Sequence, residues 1–285
     1  MTKREHRTEG AGASRKLAML EKHLEALGSV VVAYSGGVDS TFLAYVATKV
    51  LGEKALLITA ASETYPQWEK DEALALASRY GWRHRTIRTS ELAVLGFAEN
   101  PPDRCYYCKR ELYSKLKMIA QQESHQHLID GTTTDDIGDY RPGRRAAGEL
   151  DVRSPLLEAG LSKEEIRELS RMFGLETASK PAFACLASRF PYGSRITQEG
   201  LSAVEAVEAE LRRMSFRQFR VRHHGKTARI EVWPEEIEKF GSDATRRSIL
   251  RVAKRHGFLY VTVDLEGYRT GSLNIGLAPA RDIGG

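Results

Sequence analysis

Six consecutive residues, Ser35-Gly36-Gly37-Val38-Asp39-Ser40, have the types and spacing for anion chemistry. They follow an apolar run, Val30 to Tyr34, that reads as a buried strand. They precede Thr41 to Ala47, whose apolar spacing is helical. A strand, a glycine-rich turn and a helix N-terminus gather main-chain N–H groups and the positive end of a helix dipole at one point. The glycines let the backbone approach a ligand closely. Ser35 and Ser40 add hydroxyls for phosphate oxygens. Asp39 would repel a bare phosphate, so it implies a Mg²⁺ ion or a polarised partner beside it. The chemistry is nucleotide or pyrophosphate binding. Two other glycine clusters fail as phosphate loops. In Gly225-Lys226-Thr227 the first glycine of a Walker pattern would fall at Arg220. Gly10-Ala11-Gly12 has Arg15 where a dinucleotide fingerprint needs a third glycine.

Cysteine supplies the second group. Cys105 and Cys108 stand at C-x-x-C spacing and Cys185 stands alone. Three cysteines are too few, and odd in number, for a disulfide framework. A structural zinc site wants four ligands, and no histidine lies at a matching spacing. Three thiolates with no fourth protein ligand fit a [4Fe–4S] cluster with one open iron. That requires Cys185 to fold back beside Cys105 and Cys108. A plain dithiol, and a small core residue at Cys185, stay open as alternatives.

The elements that must position these groups alternate. Residues 1–13 are polar and glycine-containing and are expected to be disordered. Ser14 is expected to cap a helix with an apolar stripe at Leu17, Leu20, Leu24 and Leu27, ended by Gly28. After the Val30 strand and the loop helix, Ala55 to Ala60 reads as a strand. Trp68 to Tyr80 reads as a helix, Arg83 to Arg88 as a strand, Leu112 to Gln121 as a helix and Leu128 to Asp130 as a strand. This predicts an α/β fold, a parallel sheet with helices on both faces. Ligands of open α/β sheets sit beyond the carboxyl ends of the strands. Ser35, Ala60 to Ser62 and Gly131 to Asp136 follow strands directly and are expected to meet there. Ser162 with Glu165 reads as a capping box for a further helix. A boundary is expected near Pro191 to Ser194, giving one domain over 14–195. Residues 196–285 read as a smaller α+β domain: helix Glu199 to Met214, strands Phe219 to His223 and Ala228 to Trp233, helix Ala244 to His256, strand Phe258 to Leu265.

Composition narrows the class. The 285 residues carry a net charge of +5, from 43 basic and 38 acidic side chains. That excess suits a small phosphorylated substrate and does not require nucleic acid. No apolar run is long enough to span a bilayer. The first seven residues lack the apolar core of a secretory signal, so a cytoplasmic protein is expected. Arg220 and Arg222 are two apart on a predicted strand and share a face, as two guanidiniums on one phosphate would.

Ser35–Ser40 after a strand resembles the PP-loop of the ATP pyrophosphatases, which bind ATP there, cleave between the α and β phosphates and adenylate an acceptor oxygen. A wider set of segments is similar to the LarE family of ATP-dependent sulfur transferases. They are Ser35–Ser40, Asp103-Arg104-Cys105-Tyr106-Tyr107-Cys108, Gly131 to Asp136, Asp139 to Gly143, Ala184-Cys185-Leu186-Ala187-Ser188-Arg189 through Gly193, and Asp264 to Arg269. The resemblance implies the substrate pyridinium-3,5-biscarboxylic acid mononucleotide, whose carboxylates are adenylated and converted to thiocarboxylates for the nickel-pincer cofactor of lactate racemase. It implies a [4Fe–4S] cluster on Cys105, Cys108 and Cys185 that carries the sulfur. Other family members sacrifice the sulfur at the position of Cys185, leaving dehydroalanine. Asp39 is expected to orient Mg²⁺ or phosphate, and Ala60, Ser62, Gly131 and Ser188 to line the nucleotide. Lys109 and Arg189 are expected to hold phosphate or acyl-adenylate. The resemblance assigns Arg220 and Arg222 to the substrate phosphate and places carboxylates, including metal ligands, at Glu208 and Glu231. It also implies a hexamer. A tRNA thiolase, which joins a PP-loop to three cysteines, is the rival reading. It would need a broad basic RNA-binding surface, and the basic residues here are only locally dense.

Overall fold

The computed structural model describes residues 3–137, 142–181 and 184–269, with side chains from Gly12 onward. The marker segment Asp139 to Arg141 therefore lies outside the described residues. The chain divides into two compact units, residues 1–94 with 103–183, and residues 95–102 with 184–285.

In the first unit, α1 (Lys3–Leu27) leads into β1 (Val30–Ala33), α2 (Val38–Leu51), β2 (Ala55–Ala61), α3 (Gln67–Arg79), β3 (His84–Arg88), α4 (Arg104–Gln122) and β4 (His127–Ile129). The short helices α5 (Gly143–Glu149) and α6 (Pro155–Glu158), then α7 (Lys163–Met172), complete it. The strands form one parallel sheet in the order β3-β2-β1-β4. Alternation along the central strands decides which face each residue feeds. Val30, Val32 and Leu57 pack with Leu20 and Leu24 of α1, Phe42 and Val46 of α2, and Ile166 of α7. Val31, Leu56 and Ile58 point the other way, into Tyr113 and Leu116 of α4. Each such leucine or valine contributes about 1.5–3 kcal/mol on leaving water. Both faces being covered explains why β1 reads as an unbroken apolar run.

Two expectations are corrected here. Helix α1 begins at Lys3, so Ser14 lies inside it and not at its start, and helix covers residues 3–13 of the segment expected to be disordered. Its Lys, Arg, Glu and Ala residues are good helix formers, which outweighs their polarity. Helix α4 begins at Arg104, not Leu112, which puts Cys105 and Cys108 in its first two turns. The capping box at α7 is as expected: Glu165 N–H donates to Ser162 Oγ at 3.3 Å and Ser162 N–H to Glu165 Oε2 at 2.9 Å.

In the second unit, α8 (Gln198–Arg213) and α9 (Asp243–Arg255) accompany a mixed sheet of β5 (Phe219–His224), β6 (Thr227–Val232) and β7 (Tyr260–Val263), in the order β5-β6-β7. β5 and β6 form a hairpin turned at Gly225, whose φ of 61° favours glycine. β7 pairs parallel to β6 and is shorter than the strand expected over Phe258 to Leu265. The unit begins at Ala184 rather than at 196 and takes in residues 95–102. Asn100, fully buried, explains that recruitment. Its side-chain amide donates to the carbonyls of Phe190 and Pro191 at 3.2 and 2.8 Å. Main-chain bonds from Gly193 to Asn100 and from Ile196 to Ala98 continue the joint. Among the described residues no helix is long and apolar enough to cross a membrane.

Candidate functional site

The chain reaches β2 and β3 on one side of β1 and returns to β4 on the other, so the sheet has its switch point between β1 and β4. The Ser35–Ser40 loop leaves β1 there. Gly36 has φ of 66°, and a Cβ on it would come within 2.7 Å of the Ala73 Cβ on α3. Glycine is thus required twice, by conformation and by the closeness of α3. Gly37 precedes the first turn of α2 without a side-chain cap, which leaves the N-terminal amides of that helix for a ligand. Ser35 is exposed. Ser40 is buried and serves the loop itself: its Oγ donates to the Gly37 carbonyl at 3.2 Å, accepts from Ser35 N at 3.2 Å and lies 3.0 Å from Ser35 Oγ. Ser35 is thus the exposed hydroxyl of the loop, whereas Ser40 shapes the turn.

The strand ends converge as expected. Gly131 follows β4 so closely against α2 that a Cβ there would meet Ser40 N at 3.1 Å. Ser62, just beyond β2, is bonded to Thr64, and Tyr65 Oη donates to the Ser35 carbonyl at 2.5 Å. Ala60 lies near the end of β2, half-buried. Burial, above all, pushes Asp39 up to about 6, with Lys163 pulling it down and Asp136 pushing it further up. A carboxylate held in its charged form against burial and carboxylate neighbours is one that a divalent cation would relieve. The donor chemistry at Asp39 therefore fits Mg²⁺. Asp136 is otherwise engaged, closing the Thr133 capping box and accepting from Lys163 Nζ at 3.0 Å.

Lys180 escaped the sequence reading. Its Nζ lies 2.6 Å from Glu69 Oε2 and 3.2 Å from the Gly36 carbonyl, 144 residues away in the chain. It also pairs with Glu72 at 3.1 Å, so it ties the loop to α3, and nothing in local spacing points to it.

Cys105 and Cys108 sit one helical turn apart on α4, exposed and half-buried respectively, on the same face. Lys109 follows them. Its Nζ lies 5.0 Å from the Tyr113 ring, and Tyr113 above all, then Asp130 and Cys108, raise its pKa against burial. Tyr113 Oη donates to Asp130 Oδ2 at 2.7 Å, so Lys109 is tied to the loop after β4. Cys185 is half-buried and belongs to the second unit. Among the described residues the three cysteines are unbridged, and no three His, Cys, Asp or Glu side chains gather as a metal site. In donor chemistry, three soft thiols, the set still fits an iron–sulfur cluster.

Around Cys185 the second unit assembles a buried ionic network. Cys185 precedes a 3₁₀ turn, Leu186–Arg189. Arg189 is wholly buried and forms a bidentate pair with Glu208 of α8, at 2.8 and 2.9 Å. Its Nη1 donates to the carbonyls of Ala184 and Cys185 at 2.5 and 2.9 Å. Glu208 Oε1 also accepts from Val221 N on β5 at 3.0 Å. Arg222 pairs with Glu231 at 3.0 and 2.7 Å and donates to the Ser188 carbonyl at 2.9 Å. The register sets Glu231 opposite Arg220 and Arg229 opposite Arg222, so the Arg222–Glu231 pair runs diagonally across the hairpin, and Arg229 is also bonded to Glu231. Arg220 lies 5.1 Å from the Tyr268 ring. Burial, then the charge of Arg189, pushes its pKa down to about 10.

The expected roles shift accordingly. Arg189 spends its donors on protein atoms. Glu208 and Glu231 have both oxygens bonded to guanidinium, the arrangement of an ion pair rather than of a metal ligand. Arg222 is likewise engaged in a carboxylate pair. Ser188 donates its hydroxyl to the Cys185 carbonyl at 2.7 Å.

Residues 14–135 match the NAD synthase family. The pyridinium-3,5-bisthiocarboxylic acid mononucleotide synthase of Lactiplantibacillus plantarum is 36% identical over 274 residues, 95% of this chain and 98% of that protein. An uncharacterized protein of Synechocystis is 45% identical over 259 residues, 91% of this chain and 97% of its own length. The glutamine-hydrolyzing GMP synthase of Aeropyrum pernix is 28% identical over 159 residues, 51% of this chain and 31% of that protein.

Proposed function

The chain belongs to the family of pyridinium-3,5-bisthiocarboxylic acid mononucleotide synthases, the LarE family, and from that premise we propose that it activates a pyridinium carboxylate with ATP and replaces an activated oxygen by sulfur. The substrate is pyridinium-3,5-biscarboxylic acid mononucleotide. A carboxylate resists a sulfur nucleophile because its own negative charge repels it. Attack of a carboxylate oxygen on the α-phosphorus of ATP breaks the bond to the bridging oxygen, releases pyrophosphate and leaves an acyl-adenylate whose acyl group no longer carries the carboxylate charge. The sulfur nucleophile then attacks the acyl carbon, and AMP departs with the electron pair of the broken C–O bond.

The observation that carries this reading is the Ser35–Ser40 loop at the β1/β4 switch point, with the α2 N-terminus behind it and Asp39 beside it. Its amides, Ser35 and the nearby Lys180 ammonium stabilise charge on the departing pyrophosphate. Asp39 would hold Mg²⁺, which supplies further positive charge to the same leaving group. Ala60, Ser62 and Gly131 would line the nucleotide from the adjoining strand ends. Arg220 and Arg222 are the candidates for the substrate phosphate. Three guanidiniums, Arg189, Arg220 and Arg222, stand in one network with Glu208 and Glu231, and the depressed pKa of Arg220 marks positive charge that an anion would relieve.

Cys105, Cys108 and Cys185 would hold a [4Fe–4S] cluster, which supplies an open iron able to carry sulfur. A second reading rests on the sequence, where Cys185 stands alone and apart from the C-x-x-C pair. In it the Cys185 thiolate attacks the acyl-adenylate. Loss of the Cys185 Cα proton then breaks its Cβ–Sγ bond, leaving dehydroalanine and a thiocarboxylate.

The test is anaerobic turnover with ATP, Mg²⁺ and the pyridinium dicarboxylate mononucleotide, following pyrophosphate and thiocarboxylate. Pyrophosphate release that depends on the dicarboxylate and is lost in Asp39→Asn is expected. Absence of release overturns the proposal. The mass of the protein after turnover separates the sulfur routes: loss of one sulfur and two hydrogens at Cys185 sinks the cluster route, and many products per unchanged chain sink the sacrificial one.

A further inference from the structure

The Cys185 main chain is held far more firmly than a surface turn requires. Its carbonyl oxygen accepts from Ser188 N at 3.0 Å, from Ser188 Oγ at 2.7 Å and from Arg189 Nη1 at 2.9 Å. Arg189 Nη1 also reaches the Ala184 carbonyl and Ser188 Oγ, so one guanidinium nitrogen binds the peptide groups on either side of Cys185. The opposite edge of that guanidinium is gripped by Glu208, which is itself tied to β5 through Val221 N. Arg222, gripped by Glu231, holds the Ser188 carbonyl three residues on. Two buried Arg–Glu pairs therefore fix a five-residue turn to α8 and to the β5–β6 hairpin. Burying such pairs is costly, and packed apolar residues would stabilise a turn at least as well. What the ionic pairs add is direction: a planar guanidinium with a bidentate partner allows one orientation only.

We propose that Arg189, oriented by Glu208, is a positioning residue for Cys185, and that it sets where the thiol is presented rather than touching ATP or the pyridinium substrate. This rests on the reading that Cys185 takes part in sulfur transfer. The assignment moves Arg189 out of the adenylation step. It makes the Arg189–Glu208 and Arg222–Glu231 pairs one device with one purpose.

The test uses the full chain and two readouts. The first needs no turnover: iodoacetamide alkylation of each cysteine, resolved by peptide mass spectrometry, with Cys105 and Cys108 as internal references. Arg189→Lys keeps the charge but cannot span Glu208 and two carbonyls together. It is expected to speed Cys185 alkylation about tenfold and leave the other two within about twofold, because loosening the turn exposes a half-buried thiol. The second readout is turnover. Arg189→Lys is expected to lower kcat for thiocarboxylate formation about 100-fold while KM and pyrophosphate release stay within about threefold, the cost of a misplaced reacting atom. A parallel fall in pyrophosphate release, or a large rise in KM, overturns the proposal and returns Arg189 to the acyl-adenylate. Unchanged Cys185 alkylation overturns it as well. If Arg189→Lys does not fold, Ser188→Ala removes one donor to the Cys185 carbonyl without disturbing a buried charge; about a threefold rise in Cys185 alkylation supports the clamp and no rise sinks it. Failure of the underlying reading has a different signature: Cys185→Ser would retain sulfur transfer, whatever the alkylation rates of the other variants.

Discussion

The two units build their sites from opposite materials. In the first, the Ser35–Ser40 loop offers main-chain amides at the end of a parallel strand, with its exposed serine turned outward and glycines making room. In the second, the groups around Cys185 are charged side chains sunk into the protein and paired with one another, Arg189 at 0% and Glu208 at 2% side-chain exposure. A backbone cradle is preorganised by secondary structure and can bind and release a nucleotide without uncovering a charge. A buried ion pair cannot open cheaply, because either partner alone would be an uncompensated charge. The first arrangement suits a site through which substrates pass. The second suits a fixture that holds something else still.

The largest expected effect tests the fixture. Glu208→Ala strands the Arg189 guanidinium in the interior and should cost about 3–5 kcal/mol of unfolding free energy, read by chemical denaturation. Glu208→Gln, which keeps an acceptor, should cost clearly less. Equal and small losses for both would end the contrast between the units.

Next comes the cradle. Gly36→Ala adds a Cβ within 2.7 Å of the Ala73 Cβ at a backbone φ of 66°. Left-handed strain and overpacking together should cost about 2–4 kcal/mol and abolish ATP-dependent pyrophosphate release. Retained pyrophosphate release would refute the role given to the loop.

A third experiment concerns Asp39 in Mg²⁺-free buffer. Its folded-state pKa, pushed up to about 6 by burial, lies above that of an unfolded aspartate. Between about pH 4 and about pH 6 the native state holds a proton that the unfolded chain has lost, so stability should fall as pH rises through that window. Asp39→Asn should flatten that slope, stabilise the protein at neutral pH by about 1–2 kcal/mol and eliminate turnover, a functional site bearing a cost in stability. An unchanged pH slope would refute the placement of this carboxylate.

The smallest expected effect lies away from both sites. Ser162→Ala removes one half of the α7 capping box and should cost about 1 kcal/mol with turnover retained, which calibrates the larger losses.

Legibility in the sequence followed the range of the interaction. The loop, the switch-point strands and the α7 cap are written in neighbouring residues, so their spacing exposed them. The start of α4 was misplaced because Cys105 and Tyr106 break the apolar periodicity that marks a helix, although Arg104 itself is buried. Lys180 was invisible because its partners, Gly36 and Glu69, lie more than a hundred residues away. Arg189, Arg222, Glu208 and Glu231 were picked out as functional residues, but as ligands of phosphate or metal. Charge and residue type cannot reveal that a guanidinium is already spent on a carboxylate.

By itself the sequence determined the α/β class, the nucleotide-type loop and its glycines, and the three cysteines as a set, because local backbone preference and residue chemistry are properties of short segments. Tertiary structure alone decided which charged groups pair with each other in the interior. It also decided that residues 95–102 join the second unit and that Cys105 and Cys108 share one helix face while Cys185 lies in a different unit. Those outcomes depend on burial, and burial depends on the whole chain folding, since a charge enters the interior only when a distant partner meets it there.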